Sequence, residues 1–197
     1  MIAAIRAWGG VRVVLVVGLT VLLIETTATD QLSVPPFSFA LDGWTFVPPL
    51  VAVVCADPLV DRTPQLTEHA TRAPAFIAVA RLALAGSGAA AVSGYCLLSP
   101  DGVVVAQYVV AAVSVAAVAV ALADSWYWLP LLPLAFGWIQ HTHGQFPTQT
   151  VAIPVPTLGA IVAGSCLAYV GGTLVRSGLS RARPAGRPPA PRRPRRP

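Results

Sequence analysis

Apolar runs of membrane-crossing length recur along almost the whole chain, and no other feature limits its fold as strongly. A helix that crosses about 30 Å of hydrocarbon at 1.5 Å per residue needs roughly 20 apolar residues. Lipid offers no partner to a bare N–H or C=O, so such runs are expected as helices. Six segments qualify, at about residues 8–25, 37–56, 80–98, 103–123, 126–140 and 151–175. The expected fold is therefore all-α, a polytopic transmembrane helical bundle of about six spans. Composition agrees: 55% hydrophobic residues, 11% charged residues and a mean hydropathy of +0.70 are too apolar for a soluble chain of 197 residues.

The segments differ in quality. The first follows Arg6 and Arg12 and reads either as a signal peptide or as an uncleaved anchor. The stretch after it, ETTATDQ, has no clean small-x-small pattern, which favours the anchor, although Ala28 keeps the other reading open. Pro48 and Pro49 fall in the middle of the second segment and predict a kinked or partly unwound span. Ser99-Pro100-Asp101-Gly102 has turn chemistry and should join segments three and four as a tight hairpin. Segment five carries Pro130 and Pro133 within about fifteen residues, so by itself it would suit a re-entrant loop.

Arginine placement sets the orientation. All thirteen basic residues are arginine, and eight of them lie beyond Val175. The formal charge of +5 therefore belongs to a tail, residues 176–197, which is rich in Arg and Pro, free of acid and expected to be disordered and cytoplasmic. With both termini inside and six crossings, Arg6, Arg12, Arg62, Arg72 and the tail all stay on the cytoplasmic face, as basic residues near span ends do. Arg81, at the start of segment three, is expected to snorkel to that same face. Five crossings would export the tail, and four would export Arg62 and Arg72. The expected location is the plasma membrane of a bacterium, multi-pass, since an all-arginine, Ala-, Val- and Pro-rich composition also suits a high-GC bacterial genome.

Without lysine there is no P-loop lysine, Schiff base or lysine general base, so several enzyme classes are excluded. Ser165 and Cys166 lie deep in segment six, far from the loop histidines, which argues against a hydrolase pairing. His141 and His143 provide two metal ligands where a site needs at least three. Cys55, Cys96 and Cys166 suggest no disulfide framework and read as small packing residues. The chain is thus read as a non-enzyme, with no cofactor and no metal.

Two patterns remain. Gly86, Ala90 and Gly94 in segment three, and Gly164, Ala168 and Gly172 in segment six, repeat small residues every four positions and predict close helix packing, within the chain or in a homodimer. Asp42-Gly-Trp44-Thr-Phe46-Val-Pro48 and Asp124-Ser-Trp126-Tyr-Trp128-Leu-Pro130 share an Asp-x-Trp-x-aromatic-aliphatic-Pro pattern at an offset of 82 residues. The glycine motifs repeat at 78, so the halves can be read as a 3+3 inverted repeat of the kind transporters use. The plainer reading is that an Asp cap, interfacial tryptophans and an early proline begin a membrane helix. Asp42, Trp44, Pro48, Asp124, Trp126 and Pro130 are the candidate functional residues under either reading.

The longest polar stretch between segments is DPLVDRTPQLTEHATRAP, Asp57 to Pro74, within which Thr63 to Thr71 suits a short surface helix. Its DRTPQL sequence, followed by an arginine-led, alanine-rich helix, resembles small actinobacterial membrane proteins encoded beside ABC-transporter ATPases. With the span count, it also resembles ABC-2-type permease subunits, whose coupling helix lies between spans two and three. The resemblance implies a permease-like subunit without its own ATPase, docking a cytoplasmic ATPase through residues 57–74. It covers about twenty residues, and the chain is shorter than a typical permease of that kind. The alternative is a structural or accessory membrane protein with no transport path. Expected partners are membrane lipids, this ATPase and a second copy of the chain, with no specific nucleic acid.

Overall fold

Runs of Val, Ala and Leu bounded by proline or glycine coil into six α-helices among the residues described by a computed structural model of the protein: 10–27, 31, 32, 35, 40–61, 74–100, 102–142, 146, 147 and 150–182. They are α1 (Gly10–Thr27), α2 (Val47–Ala56), α3 (Pro74–Cys96), α4 (Gly102–Ala123), α5 (Trp128–Thr142) and α6 (Val155–Ala182). Two-residue strands β1 (Gln31–Leu32) and β2 (Leu41–Asp42) pair antiparallel between α1 and α2, Gln31 opposite Asp42. Among the described residues, three helices are long and apolar enough to cross a membrane: α3, α4 with the turn after it, and α6.

Several boundaries differ from the sequence reading. The second segment is helical only from Val47; before it, Leu41–Asp42 is a strand and Gly43–Phe46 a 3-10 turn. Pro48 and Pro49 therefore occupy the first turn of α2, where a missing N–H costs nothing, and they start the helix instead of kinking its middle. With its 3-10 flanks this apolar stretch runs Gly43–Leu59, about 25 Å by helical rise. α5 spans about 22 Å by the same measure and holds Pro133 in its interior. α3 starts at Pro74, so Arg81 stands two turns inside the helix and not at its beginning. α6 runs on to Ala182, which makes the first residues of the expected tail helical. The expected surface helix at 63–71, most of the tail, Arg6 and His143 lie outside the described residues.

Side-chain bonds between helices fix their directions. Tyr95, near the close of α3, donates to the carboxylate of Glu25, near the close of α1. Trp138, late in α5, donates from Nε1 to the Thr45 carbonyl just before α2 at 3.0 Å. Tyr169, midway along α6, donates to the Leu59 carbonyl just past α2 at 2.7 Å. Tyr108, early in α4, donates to the Val151 carbonyl just before α6 at 3.1 Å. Arg176 donates to the Val120 carbonyl at the close of α4 at 3.0 Å. Successive helices consequently run in alternate directions. The bundle has one end carrying Arg81, Tyr169 and Arg176, the arginine end, and another carrying Tyr108, Trp138 and Phe146, the aromatic end.

The core forms around α4, which packs against α2, α3, α5 and α6, while α1 lies against α2 and α3. Small side chains let α4 bury residues on several faces, among them Val105, Val109, Ala116 and Val120. Two glycines are required by close approach. At Gly88 an added Cβ would stand 2.8 Å from Val13 Cγ1 and 3.2 Å from Cys55 Sγ, so this is where α1, α2 and α3 meet. At Gly102 it would stand 1.7 Å from the Cys96 carbonyl oxygen, so only glycine closes the α3–α4 hairpin.

Candidate functional site

The chemistry concentrates at the arginine end. Arg81 is the sole charged residue of α3 and is only 5% exposed. Its Nη2 donates to Asp61 Oδ1 at 2.9 Å, from a residue just beyond the 3-10 turn Asp57–Leu59 that follows α2. Tyr169, 1% exposed, stands beside the same guanidinium while its hydroxyl donates to Leu59. The start of the 57–74 loop is thereby fastened to α3 through Asp61 and to α6 through Leu59. The Arg81 Nε is buried with no hydrogen-bond partner among the described residues. About two turns of α3 precede Arg81, and its side chain is held by Asp61 and Tyr169.

A second ion pair lies at this end. Arg176 bonds the Val120 and Ala121 carbonyls, which lack helical partners at the end of α4, and pairs with Asp124 at 3.4 Å. Asp124 adopts a left-handed φ of 50°, a conformation that Asp tolerates better than most residues, and this reverses the chain from α4 into α5.

The aromatic end is held differently. Tyr108 and Trp138 have ring centroids 5.0 Å apart, and Phe146 lies edge-on to both, at 5.5 and 5.1 Å. The Gln107 carboxamide accepts from the Ile153 N–H at 2.9 Å, so neighbouring residues of α4 grip the extended approach to α6. From this cluster an open cavity of about 240 Å³ runs between α2, α4 and α5, lined by Pro48, Ala52, Val115, Leu134 and other apolar side chains. A second, of about 210 Å³, lies between α3, α4 and α6 beside Ser114, Ser165 and Cys166. Both hydroxyls there bond backward to their own helices, Ser114 to Val110 and Ser165 to Val162.

The residues singled out from sequence are divided between the two ends. Asp42, Trp44 and Pro48 stand at the aromatic end, and Asp124, Trp126 and Pro130 at the arginine end, so the shared motif does not converge on one site. Asp42 is half-buried in the strand pair, and burial holds its carboxyl above the ordinary value. Trp44 packs on the core, and Pro48 is buried. Trp126 is exposed and stacks on Trp128 at 5.7 Å. Of the small-residue stripes, Gly172 meets Ala121, with 3.4 Å from its Cβ position to the carbonyl oxygen, whereas Gly86, Gly94 and Gly164 have nothing within 4 Å. Ala90 and Ala168 are exposed as well. All three cysteines are free, and no group of three metal-ligating side chains occurs among the described residues.

Sequence reasoning missed Asp61, Tyr169 and Gly88, and placed Arg81 at the start of segment three, whereas α3 begins seven residues earlier. The available signal was a single arginine inside an apolar helix, which is costly unless paired. Helices of membrane-crossing length around an Ala/Val core define an α-helical membrane protein. No known family, no curated protein and no solved structure matches the chain.

Proposed function

We propose that this chain is a six-crossing, non-enzymatic subunit of a bacterial plasma-membrane transporter, permease-like and dependent on a separate cytoplasmic ATPase that docks on residues 57–74. The observation that carries the reading is the double fastening of that loop. Its first residues are tied to α3 by Asp61–Arg81 and to α6 by the Tyr169 hydroxyl on Leu59. A displacement imposed on the loop is delivered straight to two helices of spanning length, which is what a coupling element must do. The alternating helix directions support six crossings with both termini on the arginine side.

A second reading, an accessory membrane protein with no transport path, is favoured by the apolar lining of both cavities. Purification in mild detergent separates the two. A Gln65→Cys variant carrying a photo-crosslinker should capture an ATP-hydrolysing subunit, and Arg81→Ala should uncouple that subunit's ATPase from the bundle without releasing it. A protein that runs alone, with no associated ATPase activity, sinks the first reading and leaves the second.

A further inference from the structure

Polar side chains are scarce inside the bundle, and two of them share one cavity. Ser114 and Ser165 line the space of about 210 Å³ between α3, α4 and α6, and they are only 7% and 5% exposed. A hydroxyl has one proton to donate and two lone pairs to accept with. Each serine spends its proton on its own helix, Ser114 on the Val110 carbonyl at 2.9 Å and Ser165 on the Val162 carbonyl at 2.8 Å. No donor among the described residues bonds either oxygen in return, so the lone pairs are free. The rest of the lining is apolar and uncharged, with Leu82, Ala89, Val113 and Val162 among it. Leu59 borders the cavity towards the arginine end, its carbonyl held by the Tyr169 hydroxyl. On the flank Gly86 and Ala90 are exposed, so the space opens sideways from α3.

We propose that this cavity is a binding site for one small neutral molecule, an apolar body of about one ring carrying an O–H or N–H donor. Size, charge and hydrogen bonding each narrow the class. The volume exceeds the about 150 Å³ of an apolar cavity that takes up benzene and falls short of the about 300 Å³ at which drug-sized pockets begin. An ion would enter with no countercharge on the wall and lose its hydration, so the ligand is neutral. The serine oxygens present acceptors only, so they reward a donor and offer nothing to an ether or a hydrocarbon. The side opening lies on the flank of helices of spanning length, where an amphiphile dissolved in the bilayer arrives directly. The site rests on the packing of α3, α4 and α6 alone, so it stands or falls separately from the ATPase test.

Cys166 lines the same cavity and is a native reporter, because Cys55 and Cys96 are only 1% and 0% exposed. The full chain in mild detergent is treated with N-ethylmaleimide, and modification of Cys166 is followed by mass spectrometry with benzyl alcohol or toluene present. The two probes share a ring, and only the alcohol has a donor. Compared at equal concentration in the micelle, benzyl alcohol should halve the labelling rate at a concentration about fivefold lower than toluene does, the weight of one neutral hydrogen bond. Changing Ser114→Ala and Ser165→Ala together should remove that advantage and leave the effect of toluene as it was. Equal protection by the two probes in the unmodified chain overturns the proposal and leaves a plain hydrocarbon slot of the kind a lipid acyl chain fills. Protection by neither overturns it as well. So does an advantage of the alcohol that survives the double variant, since the serines would then not be the acceptors. The comparison of probes on the unmodified chain needs no variant, and it decides even where the double variant fails to fold.

Discussion

Arg81 has the greatest leverage of any single side chain. Removing one partner of a buried ion pair leaves an uncompensated charge, at a cost of about 3 to 5 kcal/mol. Because the Asp61 side chain keeps 28% exposure, Asp61→Ala should fall at the lower end, about 3 kcal/mol, read as a lowered Tm in detergent. The double variant Asp61→Leu with Arg81→Met should recover most of that loss; a Tm as low as in the single variant would mean that packing, not charge, is at stake. Asp42 behaves in the opposite sense. Burial raises its carboxyl pKa, so the folded state holds this proton more tightly than the unfolded state. Its contribution is therefore favourable below the ordinary value of 3.8 and declines as pH rises through the raised folded pKa. A Tm profile against pH should show Asp42→Asn gaining on the native chain across that acid range and running parallel above it. Asp42 was visible in the sequence as an acid near the start of segment two, but its place in the strand pair was not, because its pairing with Gln31 spans eleven residues.

Among the elements, α3 is closed on its neighbours at one glycine and open at two others. Gly86, Ala90 and Gly94 form the obvious stripe, yet α3 is approached closely at Gly88, between the stripe positions. Both faces of such a helix are apolar, since lipid accepts the same side chains as protein does, and hydrophobic period cannot say which face turns inward. Substitution separates the two faces. Gly88→Ala places a methyl against Val13 and Cys55 and should cost about 1 kcal/mol net, overpacking outweighing the gain in helix propensity. Gly94→Ala meets open space and should be neutral or stabilise by up to about 1 kcal/mol. Equal Tm shifts for the two variants would contradict this packing. Element ends were read better where local chemistry decides them: Gly102 closes the α3–α4 turn where Ser-Pro-Asp-Gly predicted one.

For the whole molecule, the helix directions make a test of topology possible. Ser99 and Thr150 belong to the aromatic end, and Ser125 and Ser177 to the arginine end. Introduced singly as cysteines in intact cells, the first two should react with a membrane-impermeant maleimide. The second two should react only after the cells are opened. Labelling of Ser125→Cys and Ser99→Cys from the same side would remove α4 as a crossing and with it the six-span arrangement. Arginine placement in the sequence predicts the same sidedness. It does not predict that α2 is a ten-residue helix, because prolines that begin a helix and prolines that break one look alike in sequence, whereas the fifteen residues of α5 match the length read for segment five.

The sequence by itself determined that this is a helical membrane protein, since runs of apolar residues can satisfy their backbone in lipid in only one common way. It also determined where the positive charge lies. Which helix faces touch, and that Asp61, Arg81 and Tyr169 meet across α2, α3 and α6, only the tertiary structure decided. Such contacts depend on helix rotation and crossing, and in a chain whose every surface is apolar those are set by shape complementarity and buried polar pairs distant in sequence.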